Sequence, residues 1–220
     1  MASKYEALRL KDEEMASNKA TRALICLCID ASFSMNGERI TTVNQEIDKF
    51  LKNMYNNKTA RDAVEICIVS FSDTVELLCN FGPIQNAMEA NNTIKAMGTR
   101  TSLGAGVECA LGALDKEIAN LEAGGNRYYK PWLIIISDGE ATDQMHCEKI
   151  CKDVIERQCK GKLKVKCLSM GDVKDTETLR KFSLEGIVEQ INCIQAMEFF
   201  AMLSRSVSAA SQSSIQFGEF

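Results

Sequence analysis

The sequence predicts an α/β fold: a central, mostly parallel sheet with one antiparallel edge strand and helices on both faces. Three observations lead there. Runs such as ALICLCID at 23–30 and WLIIISD at 132–138 are apolar at successive positions, as strands covered on both faces must be. Segments with apolar residues at helical spacing alternate with those runs. One pair of strands is joined by only Ser72 and Asp73, too short a link for a crossover.

The elements follow in order. Residues 1–19 are polar and charged and read as a lead-in segment. The first strand runs from Arg22 to Asp30. Ile40, Val43, Ile47, Phe50, Leu51 and Met54 then recur on one helical face. Ala63–Phe71 is the second strand, and Thr74–Cys79 returns antiparallel to it. Leu103, Val107, Leu111, Leu114, Ile118 and Leu121 mark a second helix, stopped by Gly124 and Gly125. Pro131 opens the next strand, where its missing N–H does least harm. A helix over Asp143–Cys159 and a strand over Lys164–Met170 come next. Phe182–Ile191 holds a turn and a last strand, and Met197–Val207 closes the domain as a helix. The domain is thus placed at 20–207, followed by a Ser-rich flexible tail at 208–220.

Composition narrows the function classes. With 220 residues, 45% of them apolar, the chain can bury one full core. A net charge of −4 offers no general basic face to nucleic acid or to an anionic membrane. No apolar run approaches the about 20 residues of a membrane span, and the N-terminus has no apolar secretory segment. A cytoplasmic location is therefore expected. Of the ten cysteines, Cys26, Cys28, Cys67 and Cys167 lie inside strand-like runs and read as small buried hydrophobes. His146, Cys147, Cys151 and Cys159 lack paired CxxC spacing, so core and surface thiols are expected there rather than a zinc site.

In open parallel sheets, ligands bind beyond the carboxyl ends of the strands. The first strand leaves into Asp30-Ala31-Ser32-Phe33-Ser34, the central strand into Ser137-Asp138-Gly139-Glu140, and between them a helix begins at Gly98-Thr99-Arg100-Thr101-Ser102-Leu103-Gly104. Two carboxylates and several hydroxyls therefore converge on one edge. An all-oxygen set selects a hard cation such as magnesium, manganese or calcium. With only two carboxylates to offset its charge, a bound cation stays electrophilic and suits an incoming carboxylate.

Asp30-Ala31-Ser32-Phe33-Ser34 resembles the DxSxS motif of the metal-ion-dependent adhesion site (MIDAS) in von Willebrand factor type A (VWA) domains. Thr101-Ser102-Leu103-Gly104 is similar to that family's threonine loop, and Ser137-Asp138-Gly139-Glu140 to its strand-end aspartate loop, all in family order. Tyr128-Tyr129-Lys130-Pro131-Trp132, running into IIISDGEATD, resembles the bacterial TerY-type subgroup of tellurite-resistance-associated proteins. The resemblance covers about residues 20–205 and implies a three-layer, Rossmann-like VWA fold. It also implies a divalent cation, Mg2+ first and Mn2+ or Ca2+ otherwise, held by Ser32, Ser34, Thr101, Asp30 and Asp138, some through water. The open position would take an acidic side chain of a protein partner. Kinase and phosphatase partners in a bacterial stress system follow only by analogy.

Phe33 stands where many members of that family have Gly, and Ala31 where many have Thr or Ser, both at positions between the ligands. Phe33 is also a candidate apolar contact for the partner. Thr99 is the fallback for Thr101. Ser102 is expected to cap the second helix, and Glu140 and Asp143 to favour the next helix's positive end. Tyr128, Tyr129 and Trp132 are expected at the core's edge, and Arg100 in solvent. Two other classes stay open: a metal-free scaffold, and a phosphatase using Asp30 as nucleophile. The second is disfavoured because Ser32 stands where an acid is needed. No GxxxxGK[ST] or GxGxxG occurs, and the single histidine has no GxSxG partner, so no enzymatic activity is expected.

Overall fold

Apolar side chains at every position of a strand require cover on both sides, and the structure supplies it. This computed structural model describes residues 20–90, 93–139, 141–171 and 176–212. The strands are β1 (Ala23–Asp30), β2 (Val64–Phe71), β3 (Val75–Cys79), β4 (Trp132–Ser137), β5 (Lys164–Met170) and β6 (Glu189–Ile191). The helices are α1 (Glu38–Asn56), α2 (Lys58–Ala63), α3 (Ile84–Glu89), α4 (Leu103–Ala123), α5 (Gln144–Cys159), α6 (Glu177–Arg180) and α7 (Cys193–Gln212). All six strands form one sheet in the order β3-β2-β1-β4-β5-β6. Only the edge pair β2–β3 is antiparallel.

The pleat divides the core in two. Ala23, Ile25, Leu27 and Ile29 of β1 pack with α1, α3 and α7, while Leu24, Cys26 and Cys28 pack with α4 and α5. The six periodic residues expected on the first helix are all buried on α1. Tyr129 and Trp132 lie at the edge of one core and Tyr128 at the edge of the other. The strand cysteines behave as hydrophobes: Cys26, Cys28, Cys67 and Cys167 are buried. Burial pushes the Cys167 thiol up to about 12.

The chain turns away from β1 toward β2 on one side and reaches β4 on the other. The strand order therefore switches between β1 and β4, the place where doubly wound sheets bind ligands.

Three short helices, α2, α3 and α6, were not expected, because four to six residues are too few to show a helical period. The closing helix is longer than Met197–Val207. It begins at Cys193 because Asn192 and Gln195 form a reciprocal capping box. The Gln195 N–H donates to Asn192 Oδ1 at 2.9 Å, and the Asn192 N–H to Gln195 Oε1 at 3.0 Å. It continues to Gln212 through Ser208-Ala209-Ala210-Ser211, where alanine sustains it and serine permits it. The lead-in 1–19 and the tail beyond residue 212 lie outside the described residues. No helix among the described residues is long and apolar enough to cross a membrane.

Candidate functional site at the carboxyl ends of β1 and β4

Parallel pairing in register sets Ile29 of β1 against Ile136 of β4, so Asp30 and Ser137 leave the sheet side by side. Asp30 is fully buried and both of its carboxylate oxygens are engaged. Oδ1 accepts the Ser32 backbone N–H at 2.8 Å, and Oδ2 accepts the Ser137 hydroxyl. The first bond bends the chain into a tight turn. That turn continues as one turn of 3-10 helix over Phe33–Met35 and brings Ser32 and Ser34 together. Burial pushes the Asp30 carboxyl up; the hydrogen bonds from Ser137 and Ser32 oppose this, and the charge of Asp138 adds to it.

A chain of oxygens crosses from this loop to the next strand. Ser32 Oγ lies 2.9 Å from Ser34 Oγ, and the Ser34 hydroxyl donates to Asp138 Oδ1 at 2.7 Å. These spacings test whether a cation fits. Oxygens about 2.0–2.1 Å from an octahedral magnesium ion sit about 2.9 Å apart along each edge. The hydroxyl–hydroxyl–carboxylate series thus already has the spacing of adjacent magnesium ligands. A cation would bind the hydroxyls through their oxygen lone pairs, the protons turning away, without spreading the oxygens. Among the described residues no group of three or more His, Cys, Asp or Glu side chains is placed to hold a metal ion.

Thr101 lies in the loop two residues before α4. It is buried, whereas Thr99 is exposed with its N–H held by Asp73 Oδ1 at 3.0 Å, so the two threonines have different surroundings. Thr101 is fixed to the loop after β4 by a reciprocal pair. Its N–H donates to Thr142 Oγ1 at 3.1 Å, and its carbonyl accepts the Thr142 N–H at 2.9 Å. The loop before it is bound to the DxSxS turn: the Phe33 N–H donates to the Gly98 carbonyl at 3.0 Å, and the Met97 N–H to the Ala31 carbonyl at 2.7 Å. Glu140 lies outside the described residues.

Four supporting residues were not singled out from the sequence as parts of the site. Ser137 orients Asp30. Asp73, in the β2–β3 link, accepts the N–H groups of both Thr99 and Arg100, the latter at 2.8 Å. Arg39 of α1 pairs with Asp138 Oδ2. Asp143 accepts the Gly104 and Ala105 N–H groups at 3.2 and 3.0 Å and so caps α4. This corrects the expectation for Ser102, which stands at the N-cap position without a side-chain capping bond. The acid from the neighbouring helix takes the role because Gly104 lets the two helices touch. A Cβ on Gly104 would sit 2.7 Å from the Cys147 nitrogen.

The thiols of α5 take no part. Cys147 is buried and donates to Asp143 Oδ1 at 3.3 Å, and burial, then the Asp143 charge, pushes it up to about 12. Cys151 donates to the Glu148 carbonyl, and Cys159 is exposed. His146 pairs with Glu108 at 3.1 Å on the surface of α5.

The sheet, the switch point and this loop cluster define the class, and the comparisons agree. The von Willebrand factor type A domain family model matches residues 25–202, and the chain belongs to that family. Among solved structures it is similar to a von Willebrand factor type A protein from Catenulispora acidiphila, with TM-score 0.66 and 16% identity over 86% of this chain and 43% of that one. It is also similar to the vWF domain of the type V pili tip protein Mfa5 from Porphyromonas gingivalis. There the TM-score is 0.66 and the identity 11%, over 91% of this chain and 98% of that one. The pilus adhesin SpaC from Lactobacillus rhamnosus GG, in its open conformation, gives 0.68 and 14% over 87% and 30%. This chain therefore spans less than half of the first and third of these. At such identities the likeness is one of fold. No curated protein matches the sequence.

Proposed function

We propose that this chain is a metal-dependent protein-interaction module. Asp30, Ser32, Ser34, Thr101 and Asp138 would hold a divalent cation, Mg2+ in preference, directly or through water. Bound there, the cation supplies a Lewis-acidic position that an acidic side chain of a partner protein completes. The observation that carries this reading is the Ser32–Ser34–Asp138 oxygen series, spaced at 2.9 and 2.7 Å.

Two further features favour binding over catalysis. Asp30 is buried with both oxygens hydrogen-bonded, so it is poorly accessible to an incoming phosphoryl group. Beside the polar centre, large apolar side chains face solvent: Phe33 is 65% exposed and Met97 64%, on loops bound to each other. Neighbouring exposed apolar side chains are a mark of protein-interaction surfaces. Among the fold's solved neighbours are pilus adhesins and a pilus tip protein. A place beside bacterial kinase and phosphatase partners rests on the TerY-like segment at Tyr128–Trp132 alone.

The test is calorimetry of MgCl2 and MnCl2 into the metal-stripped protein, beside Asp30→Asn and Ser34→Ala. Saturable binding in the parent that is lost in both folded variants supports the proposal. A parent that binds neither ion at millimolar concentration is instead a metal-free scaffold.

A further inference from the structure

Arg39 stands where a helix least favours it. It is the second residue of α1, in the first turn, where the helix dipole repels a cation. Its guanidinium is held elsewhere, across the sheet's carboxyl edge. Nη1 donates to Asp138 Oδ2 and to the Ser34 carbonyl at 3.2 Å. The opposite side of the group lies against Gly171, just past the end of β5. A Cβ there would come within 2.6 Å of Nη2, and the backbone has φ +83°, so the glycine leaves the guanidinium its space. Asp138 is shielded from solvent, while the Arg39 side chain is 37% exposed. The same carboxylate presents Oδ1 to Ser34 and Oδ2 to Arg39, so the guanidinium sits one carboxyl group away from the oxygen series.

The geometry points to Arg39 as a built-in countercation that weakens divalent-metal binding and strengthens capture of an anion by the metal-loaded site. This inference rests on the proposed metal-binding role. Two carboxylates and a divalent ion sum to zero. With Arg39 added, the loaded site carries one net positive charge. Before loading, the arginine satisfies part of the Asp138 charge, so an arriving cation gains less from it and is repelled by the guanidinium. After loading, the same charge favours an incoming carboxylate. A unit charge a few ångströms away at a half-exposed site changes an affinity about tenfold. The opposite signs of the two effects distinguish this role from a structural one.

The experiment uses the whole chain as wild type, Arg39→Gln, Arg39→Lys and Ser34→Ala, each checked for a cooperative melt. MnCl2 is titrated by calorimetry at fixed ionic strength. Sodium acetate is then titrated into the Mn2+-saturated proteins, with water-proton relaxation reading displacement from the metal. Arg39→Gln is expected to bind Mn2+ about tenfold more tightly than wild type and to take up acetate more weakly. Arg39→Lys, which keeps the charge, is expected to stay within about threefold of wild type in both. Mn2+ binding by Arg39→Gln that is equal to or weaker than wild type, with Ser34→Ala deficient, overturns the inference and leaves the metal site standing. Equal acetate uptake by wild type and Arg39→Gln overturns the anion half. Absence of Mn2+ binding by every protein, Arg39→Gln included, overturns both the inference and the function on which it rests.

Discussion

Removing the Asp143 carboxylate should cost far more than removing the Ser102 hydroxyl, although Ser102 holds the N-cap position of α4. Asp143→Ala leaves the Gly104 and Ala105 N–H groups without their acceptor, and both are at the start of a 21-residue helix. Losing a helix cap costs about 0.5–2 kcal/mol, and losing a negative charge at a helix N-terminus about 0.3–1 kcal/mol. Together these give about 2 kcal/mol, or about 4–8 °C in Tm for a chain of this size. The Asp143 side chain is only 20% exposed, so water replaces the lost bonds poorly. Asp143→Asn, which keeps an acceptor without the charge, should fall about midway. Ser102→Ala should change stability by less than about 0.5 kcal/mol. Urea unfolding followed by circular dichroism measures all three. Because Thr101 leads directly into α4, Asp143→Ala should also weaken Mn2+ binding while Ser102→Ala leaves it intact. If Ser102→Ala proves as costly as Asp143→Ala, the assignment of the cap is wrong.

Glu65 gives a pH-dependent prediction. Burial, then repulsion by Glu117, pushes its carboxyl up to about 7 against the opposing charge of Arg22. The fold therefore binds a proton that the unfolded chain releases at about pH 4.5, so stability is highest below that pH and declines as pH rises through 7. The shift is worth up to about 3 kcal/mol, and Glu65→Gln should remove that decline between pH 5 and 8 in urea midpoints. Phe200 of α7 is buried against Phe50 of α1, with ring centroids 6.3 Å apart. Phe200→Ala should cost about 3–5 kcal/mol and raise hydrogen exchange in α7 first.

Local chemistry made much of the fold legible. Strands covered on both faces are mostly apolar, so β1 and β4 were bounded to within a residue or two from their continuous apolar runs. The two-residue link forced β3 to run antiparallel. The hydroxyls and carboxylates of the candidate site were visible because they follow strand ends, where open sheets expose their loops. The capping box at Asn192 and Gln195 was present in the sequence as an N-x-x-Q pattern and would have set the start of α7.

What one dimension could not give was adjacency. Nothing in the order of residues says that β4 lies beside β1, yet that pairing brings Ser137 to Asp30 and Ser34 to Asp138. Asp143 looked like an acid at the start of its own helix, because the approach at Gly104 that lets it cap α4 exists only once both helices have packed. Arg39 gave no signal in the sequence, because its carboxylate arrives from the end of β4 and its floor from the glycine after β5. Hydrophobic periodicity and turn length act between near neighbours and are written along the chain. Hydrogen bonds and ion pairs between loops depend on distances that only the closed sheet fixes.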